Sequence, residues 1–380
     1  MNLRISAGEA SGDLHGARLL RALKAQRPDL AAFGMGGARL EAEGLERVVR
    51  SESLSVVGLF EVFEKLPALR EALRRLSEAA AQRRPDAAIL IDFPDFHGLV
   101  SRRLQRAGIP LIYYVSPQVW AWRAGRAKVL ARRARRIITL FAFEAEIYRR
   151  LGADAVWAGH PLVDDVREGL RKPSPFPEKT RRRLLLLPGS RTAELRRHWA
   201  PMIEAAARLA RQFDLEVIAV KAPELPADLF GGAEQRGVRI AESGLHPLLA
   251  SSDLAFVASG TATLEAALCG TPMVVVYRGS AVTWEVAKRV LRVPWVSLAN
   301  IVADEEVVPE LIQYDFTAER LENEGRTLLE SPQRVARMKQ GLARAAEKLG
   351  PAGGSERAAL AVLEALVEDR PAVSQREAGS

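Results

Sequence analysis

Short apolar runs, each the length of a buried strand, alternate with longer amphipathic segments along most of this chain. The runs cover residues 3–7, 87–91, 111–115 and 136–140 in the first half, and 184–187, 215–220, 254–258 and 273–277 in the second. A strand followed by a helix, many times over, is typical of βαβ units with parallel strands. The pattern therefore predicts an α/β protein with two parallel sheets, a class in which ligands bind at the carboxyl ends of the strands.

Two domains are expected because 380 residues exceed what one ordinary core organises. A charged stretch with three prolines, residues 164–183, is predicted to be the linker between them. The predicted segments are a Rossmann-like domain over 1–170, a second Rossmann-like domain over 171–354, a helix over 355–368 and a disordered tail over 369–380. By analogy with other two-domain folds of this kind, we expect the helix to return to the first domain.

The composition restricts the class of protein. There are 55 Lys and Arg against 47 Asp and Glu, a formal net charge of +8, which favours anionic partners without choosing among phosphates, nucleic acid and an acidic membrane. No window holds the roughly 18–20 apolar residues of a spanning helix, and the first residues do not form a signal peptide, so we expect a cytoplasmic protein. The single cysteine, Cys269, excludes an intrachain disulfide and a multi-cysteine zinc site, and a small buried residue is expected there.

Residues 8–16, Gly-Glu-Ala-Ser-Gly-Asp-Leu-His-Gly, join the first strand to a helix. A glycine-rich turn at this place lets a ligand approach the backbone, although it matches neither a Walker loop nor a GxGxxG motif. Because Glu9 would repel a diphosphate, the turn suits a hydroxyl-rich or sugar ligand, with Asp13 as the predicted cap of the helix. The alternative is an ordinary glycine turn before a capped helix.

A second acidic segment, residues 91–97, follows the apolar run 87–91 directly. It places Asp92 at the carboxyl edge of the sheet, beside aromatic residues. Partial burial raises the pKa of such a carboxyl group, which suits it to act as a general base. A capping role is one alternative, and a metal shared with Asp95 is another. No further carboxylate or histidine crowds the segment at ligand spacing, so no metal site is predicted.

Three further segments of the first half are candidates for contact with a ligand, a membrane or a partner. Trp120 and Trp122 at a strand exit either contact a ligand or pack on the core. Residues 123–136 carry seven Arg and Lys and no acid, which indicates either a solvated basic face or a surface that binds an anionic membrane or an acidic partner. Binding to nucleic acid is less favoured, because no stacking aromatic residues are interleaved with the basic ones. The apolar stretch 54–63 is either core or a lid or groove for an acyl chain.

Two turns of the second half, residues 187–194 and 258–265, contain small residues and lead from a strand into a helix. A helix N-terminus with a guanidinium group, here Arg191, is suited to bind phosphate, and Glu265, one turn into its helix, can accept hydrogen bonds from ribose hydroxyls. Two such turns in one domain favour a nucleotide diphosphate site. Its candidate residues are Ser190, Arg191, Ser259, Gly260, Thr261 and Glu265.

Together, these segments resemble the lipid-A-disaccharide synthases, inverting glycosyltransferases of the GT-B type with two Rossmann-like domains facing across a cleft. The resemblance covers the chain to about residue 366 and rests on residues 8–16, 91–96, 115–123, 141–144, 159–161, 187–194, 259–265 and 296–300. It implies transfer of diacylglucosamine from UDP to diacylglucosamine 1-phosphate, which yields UDP and a β-1,6-linked lipid A precursor. No cofactor is implied.

The resemblance also implies roles for single residues. Asp92 matches the family's base, and Arg191 matches an essential arginine near the nucleotide phosphates. Glu9 and Ser11 match the acceptor side, and Glu265 and Asn300 fall in segments expected around UDP. Acyl-chain substrates and an anionic inner membrane would explain the apolar stretch and the basic helix, so we expect peripheral association with that membrane.

The sequence leaves alternatives for the base and for the function. His15, just beyond the acceptor loop, is a second candidate for the base. Another UDP-sugar enzyme of the same architecture, an N-acetylglucosaminyltransferase or an epimerase, is the nearest alternative function. A non-catalytic protein that binds nucleotide sugars or lipids is the second, and nucleic-acid binding through the basic helix is the third.

Overall fold

The computed structural model describes residues 1–54, 66–117, 125–223, 225–280, 284–285 and 293–367. The chain divides into two compact units, one formed by Met1–Pro161 and the chain from Ala352 onward, the other by Leu162–Pro351. Each is an α/β unit with a parallel sheet, as predicted. The tail predicted over 369–380, the apolar stretch 55–63 and the tryptophans Trp120 and Trp122 lie outside the described residues.

The first unit has a seven-stranded sheet in the order β3-β2-β1-β4-β5-β6-β7, and every neighbouring pair is parallel. The strands are β1 (Asn2–Ala7), β2 (Ala31–Gly36), β3 (Leu45–Arg50), β4 (Ala87–Ile91), β5 (Leu111–Tyr114), β6 (Arg136–Thr139) and β7 (Ala155–Trp157). The helices are α1 (Ala10–Gln26), α2 (Ala38–Ala42), α3 (Leu66–Arg83), α4 (Pro94–Arg106), α5 (Gly125–Arg133) and α6 (Ala142–Arg150).

The second unit has a six-stranded parallel sheet in the order β10-β9-β8-β11-β12-β13. The strands are β8 (Arg182–Leu187), β9 (Leu215–Val220), β10 (Val238–Ala241), β11 (Leu254–Ala258), β12 (Met273–Tyr277) and β13 (Glu310–Ile312). The helices are α7 (Leu162–Leu170), α8 (Thr192–Phe213), α9 (Leu245–Ser251), α10 (Ala262–Leu268), α11 (Leu298–Ala303), α12 (Ala318–Glu330) and α13 (Pro332–Glu347).

The central strands are covered on both faces. Every residue of β4 and of β11 is buried, which is why their sequences are continuous apolar runs without polar alternation. Helix α8 buries one stripe against the second sheet, through Leu195, Trp199 and Met202, and this spacing places the three side chains on one helical face. No helix in the described ranges is long and apolar enough to cross a membrane.

Helix α7 belongs to the second unit by its contacts. It packs against α9 and α10, and Gly169 lies so close to the His246 ring that an added Cβ would stand 1.8 Å from Nδ1. The division between the units therefore follows Pro161, one helix before the boundary after residue 170 that the sequence suggested.

The last helix, α14 (Gly354–Val367), packs on α1 and β6, so the predicted return to the first domain is confirmed. Arg357 Nε donates to the Ala158 carbonyl oxygen at 2.8 Å, and Arg136 Nη1 donates to that of Ala361 at 3.0 Å. Arg136 is buried and also pairs with Asp154. The basic-face interpretation is wrong for this arginine, which anchors α14 from within the core.

Candidate functional site

The carboxyl edge of the first sheet presents an acidic pair. Asp92 directly follows β4 and is half-buried, whereas Glu9 follows β1 and is exposed. Burial, and after it the neighbouring Glu9 carboxylate, raises the pKa of Asp92 to about 6, against the opposing effect of a backbone hydrogen bond at Phe93. A carboxyl group with this pKa is ionised at neutral pH and is a better proton acceptor than an ordinary aspartate.

The backbone at Asp92 is held in an unusual conformation. Asp92 and Phe93 both have φ of 51°, in the left-handed region that costs a non-glycine residue on the order of 1–2 kcal/mol. The Asp92 carbonyl oxygen accepts two hydrogen bonds, from Tyr113 Oη at 2.8 Å and from His97 Nδ1 at 2.6 Å. These contacts fix the strand exit from which the Asp92 carboxylate projects.

His97 acts in this arrangement as a neutral ring. It is completely buried, and burial lowers its pKa to about 3. Because Nδ1 donates to the Asp92 carbonyl, Nε2 is the acceptor for the Ser6 hydroxyl at 2.9 Å. Sequence reasoning missed both His97 and Tyr113. The only available signal was that a histidine and a tyrosine occur beside strand ends of the same sheet.

The N-terminal loop is shorter than its sequence suggested. Helix α1 already begins at Ala10 with Glu9 at the N-cap, so Ser11 lies in the first turn, exposed like Glu9. The prediction that Asp13 caps this helix is wrong. Its buried carboxylate accepts hydrogen bonds from the backbone N–H groups of Gly37, Arg39 and Leu40 at 2.7–3.2 Å, and it therefore caps α2.

Gly8 permits close packing at the same edge. A Cβ atom added to it would stand 2.1 Å from the Phe93 ring, so only glycine allows the loop after β1 to lie against the Asp92 segment. This contact brings the start of α1, with Glu9 and Ser11, beside the candidate base.

His15 is the other candidate for the base. Burial lowers its pKa to about 4, and its ring lies 6.4 Å from that of His160 and 6.3 Å from that of Tyr114 between centroids. Such a ring is neutral at pH 7 but accepts a proton less readily than a group whose pKa is about 6. By its pKa, Asp92 is the better proton acceptor of the two.

Asp95 does not join Asp92. It is exposed on the first turn of α4, and its carboxylate forms an ion pair with Arg126. The described residues contain no group of three His, Cys, Asp or Glu side chains arranged to hold a metal ion.

The carboxyl edge of the second sheet encloses a pocket of about 490 Å³. It brings together six predicted residues from the two turns: Ser190, Arg191, Ser259, Gly260, Thr261 and Glu265. Arg191 is the N-cap of α8, so the positive end of a 22-residue helix lies at the pocket wall. The Arg191 side chain is 69% exposed, and its ion pair with Glu194, at 2.8 Å, is correspondingly weak and open to exchange for a phosphate.

Buried contacts hold the pocket's loops in place. His198 Nδ1 lies 2.9 Å from the Pro188 carbonyl oxygen, and its Nε2 accepts from the Arg278 N–H at 3.0 Å, which ties the turn after β8 to the end of β12. Gly189 and Gly260 have φ of 114° and 152°, values that favour glycine. The Ser259 hydroxyl donates to the Val296 carbonyl oxygen at 2.9 Å, which holds that turn in place.

Asn300 is not among the residues that line this pocket. It is completely buried in α11, and its amide makes four hydrogen bonds, as donor to the Val308 carbonyl and Glu310 Oε1 and as acceptor from the N–H groups of Val307 and Val308. In this structure Asn300 organises the turn before β13.

Sequence reasoning missed three polar residues of the pocket region. Lys221 and Glu242 follow β9 and β10 and line the pocket, with Lys221 Nζ 3.4 Å from Glu242 Oε1. His246 Nε2 contacts Glu265 Oε1 at 2.9 Å and thereby orients that carboxylate. Lys221 and Glu242 each follow a strand directly, as Asp92 does, and this position was the available signal.

Two kinds of comparison place the chain among known proteins. A profile of the family described as "Lipid-A-disaccharide synthetase" matches residues 3–365. The lipid-A-disaccharide synthase of Myxococcus xanthus is 42% identical, over 96% of this chain and 98% of its own length.

Solved structures share the fold at low identity. A UDP-GlcNAc 2-epimerase from Neisseria meningitidis superimposes with a TM-score of 0.61 at 11% identity, over 97% of this chain and all of its own. The calicheamicin glycosyltransferase CalG4 gives 0.64 at 15% identity, over 97% of this chain and 99% of its own. These likenesses establish a GT-B fold, and the match over almost the whole sequence establishes more: the chain belongs to the lipid-A-disaccharide synthase family.

Proposed function

We propose that this protein joins UDP-2,3-diacylglucosamine to 2,3-diacylglucosamine 1-phosphate, which gives the β-1,6-linked disaccharide 1-phosphate and UDP. The proposed chemistry depends on Asp92. Its half-buried carboxyl group lies at a strand end beside Glu9, and its pKa is raised to about 6. Family membership supports the choice of substrates.

The second-unit pocket is suited to the UDP part of the donor. Arg191 and the N-terminus of α8 would take up the negative charge that develops on the leaving diphosphate. Glu265 is oriented by His246 through Oε1, which leaves Oε2 to accept hydrogen bonds from ribose hydroxyls. The turn Ser259–Thr261 would approach the phosphates with its backbone, since Gly260 has no side chain to obstruct them.

Asp92 acts as the base toward the acceptor. The Asp92 carboxylate takes the proton of the acceptor 6-hydroxyl as that hydroxyl oxygen attacks the anomeric carbon of the donor and the bond from that carbon to UDP breaks. One displacement of this kind inverts the configuration at that carbon. Glu9 and Ser11, exposed at the start of α1, would orient the acceptor sugar through its hydroxyl and amide groups.

Product analysis tests this proposal against the other UDP-sugar activities. The donor is offered alone, with 2,3-diacylglucosamine 1-phosphate, or with a different lipid acceptor, and UDP and product masses are followed. We expect UDP release coupled to disaccharide formation with the first acceptor only. An epimerised donor, transfer to the other acceptor alone, or UDP binding without any release would each contradict the proposal.

Peripheral contact with an anionic membrane is part of the same proposal. Helices α4 and α5 present a surface with two exposed apolar side chains, Leu99 at 53% and Val129 at 43%. Three exposed cations, Arg102, Lys128 and Arg132, accompany them. Apolar side chains surrounded by Arg and Lys are typical of helices that lie on anionic lipid.

The double substitution K128Q/R132Q is expected to lower binding to anionic vesicles at low salt by about tenfold or more, because each cation near such a surface contributes roughly 1 kcal/mol. Co-sedimentation with vesicles measures the bound fraction. R337Q/K339Q, which removes two exposed cations from α13, is the matched control and should bind like the wild type. Equal loss in both variants, or no retention of the wild type, would refute the contact.

A further inference from the structure

We propose that the amino edge of the first sheet carries a second anion site, built around Arg4, Arg84 and Arg103 and suited to a small phosphorylated ligand. The three arginines line one cavity of about 510 Å³. The cavity lies where Pro85 leads into β4 and Pro110 leads into β5. Asp92 follows the opposite end of β4, so this cavity is separate from the candidate acceptor site.

The proposed site depends on Arg4. It lies within β1, the central strand of the sheet, and only 2% of it is exposed. Its Nε and Nη2 atoms are buried and have no hydrogen-bond partner among the described residues. Burial lowers its pKa to about 10, so the guanidinium remains charged at neutral pH. An uncompensated buried charge is costly, and an anion in the adjoining cavity would remove that cost.

The other two arginines add charge at the cavity wall. Arg103 Nη1 donates to the Leu73 carbonyl oxygen at 3.2 Å and to Ser77 Oγ at 3.1 Å, which holds the guanidinium against α3 while its remaining N–H groups stay available. Arg84, at the end of α3, is exposed at the rim. Planar guanidinium groups bind phosphate oxygens in pairs, which favours phosphate over a monovalent ion.

The rest of the lining decides the class of ligand. No Asp or Glu belongs to it, and its other members are mostly small or apolar, among them Ala80, Leu104 and Ile109. Asp86, the acid next to Pro85 in the sequence, is engaged elsewhere and accepts the Asn2 N–H at 2.7 Å. A cavity lined by three cations and otherwise mostly by small or apolar residues fits a phosphate group carried on a small organic body.

Phosphate binding to the whole 380-residue chain tests the site, with the R191A variant used throughout to weaken phosphate binding at the nucleotide pocket. Inorganic phosphate and glycerol 3-phosphate are titrated at constant ionic strength, with chloride as the reference, and the dissociation constant and thermal midpoint are recorded. We expect both ligands to raise the midpoint. R103Q should weaken their binding by at least about tenfold, the cost of one charged hydrogen-bond partner. R106Q, which also removes an exposed cation from α4 but lies outside the cavity, should leave the binding of both ligands unchanged.

R4M separates binding from folding. Without phosphate its thermal midpoint should equal or exceed that of the parent, because the substitution removes an unpartnered buried charge. Its response to phosphate should vanish. The site is refuted if phosphate has no effect beyond that of chloride, or if R103Q and R106Q respond alike. Should R4M fail to fold, the comparison of R103Q with R106Q alone decides the question.

Discussion

Replacing Asp92 by Asn is expected to lower kcat by about 10²–10⁴-fold, the range that a positioned general base contributes. The amide has nearly the same shape as the carboxylate, and the hydrogen bonds that hold this strand exit go to the Asp92 backbone oxygen, so the fold should persist. Initial rates of UDP release in the presence of acceptor measure the effect. D95N is the matched control, because Asp95 is an exposed carboxylate three residues away, paired with Arg126, and its loss should change kcat little.

The pH profile gives the same prediction a second readout. Because the carboxylate is the active form and its pKa is about 6, kcat/KM of the wild type should be level near pH 7 and fall about tenfold per unit of pH well below 6. In D92N this acidic limb should disappear. If D92N lost activity but kept the acidic limb, a group other than Asp92 would be the base. If His15 were the base, the limb of the wild type would lie near pH 4, two pH units lower, because the pKa of His15 is about 4.

Replacing Arg191 by Ala is expected to lower kcat/KM by about 10²–10³-fold, because it removes the charged donor that we propose for the leaving diphosphate. The side chain is 69% exposed, so its loss should not affect folding. Arg196 is also exposed on α8 but does not line the pocket, which makes R196A the control with the same change of charge. Similar activities for R191A and R196A would show that the pocket does not hold the leaving group.

The parts of the fold that sequence predicted best are the ones that burial dictates. Strands β4 and β11 are buried on both faces and are therefore unbroken apolar runs, and a residue directly after such a run lies at the carboxyl edge of the sheet, where ligands bind in folds of this class. That reasoning led to Asp92, whereas small residues between a strand and the N-terminus of a helix led to the two turns of the second pocket.

Weaker local signals account for what was missed. Strand β2, Ala-Ala-Phe-Gly-Met-Gly, contains small residues and glycine, and β10 is short with an exposed arginine, so neither has a long apolar run. Asp13 satisfies the usual rule for a cap, yet its partners are the N–H groups of another helix, a contact that no local pattern encodes. The role of Asn300 in its turn likewise depends on the neighbouring strand.

We assign proton removal to Asp92 and nucleotide binding to the pocket that contains Arg191. Calorimetric titration of UDP into the wild type, D92N and R191A tests this division most directly. We predict that D92N binds UDP as the wild type does although its turnover is lost, and that R191A binds UDP about 10- to 100-fold more weakly, the cost of a hydrogen bond to a charged group. A loss of UDP affinity in D92N equal to its loss of turnover, or wild-type affinity in R191A, would contradict it.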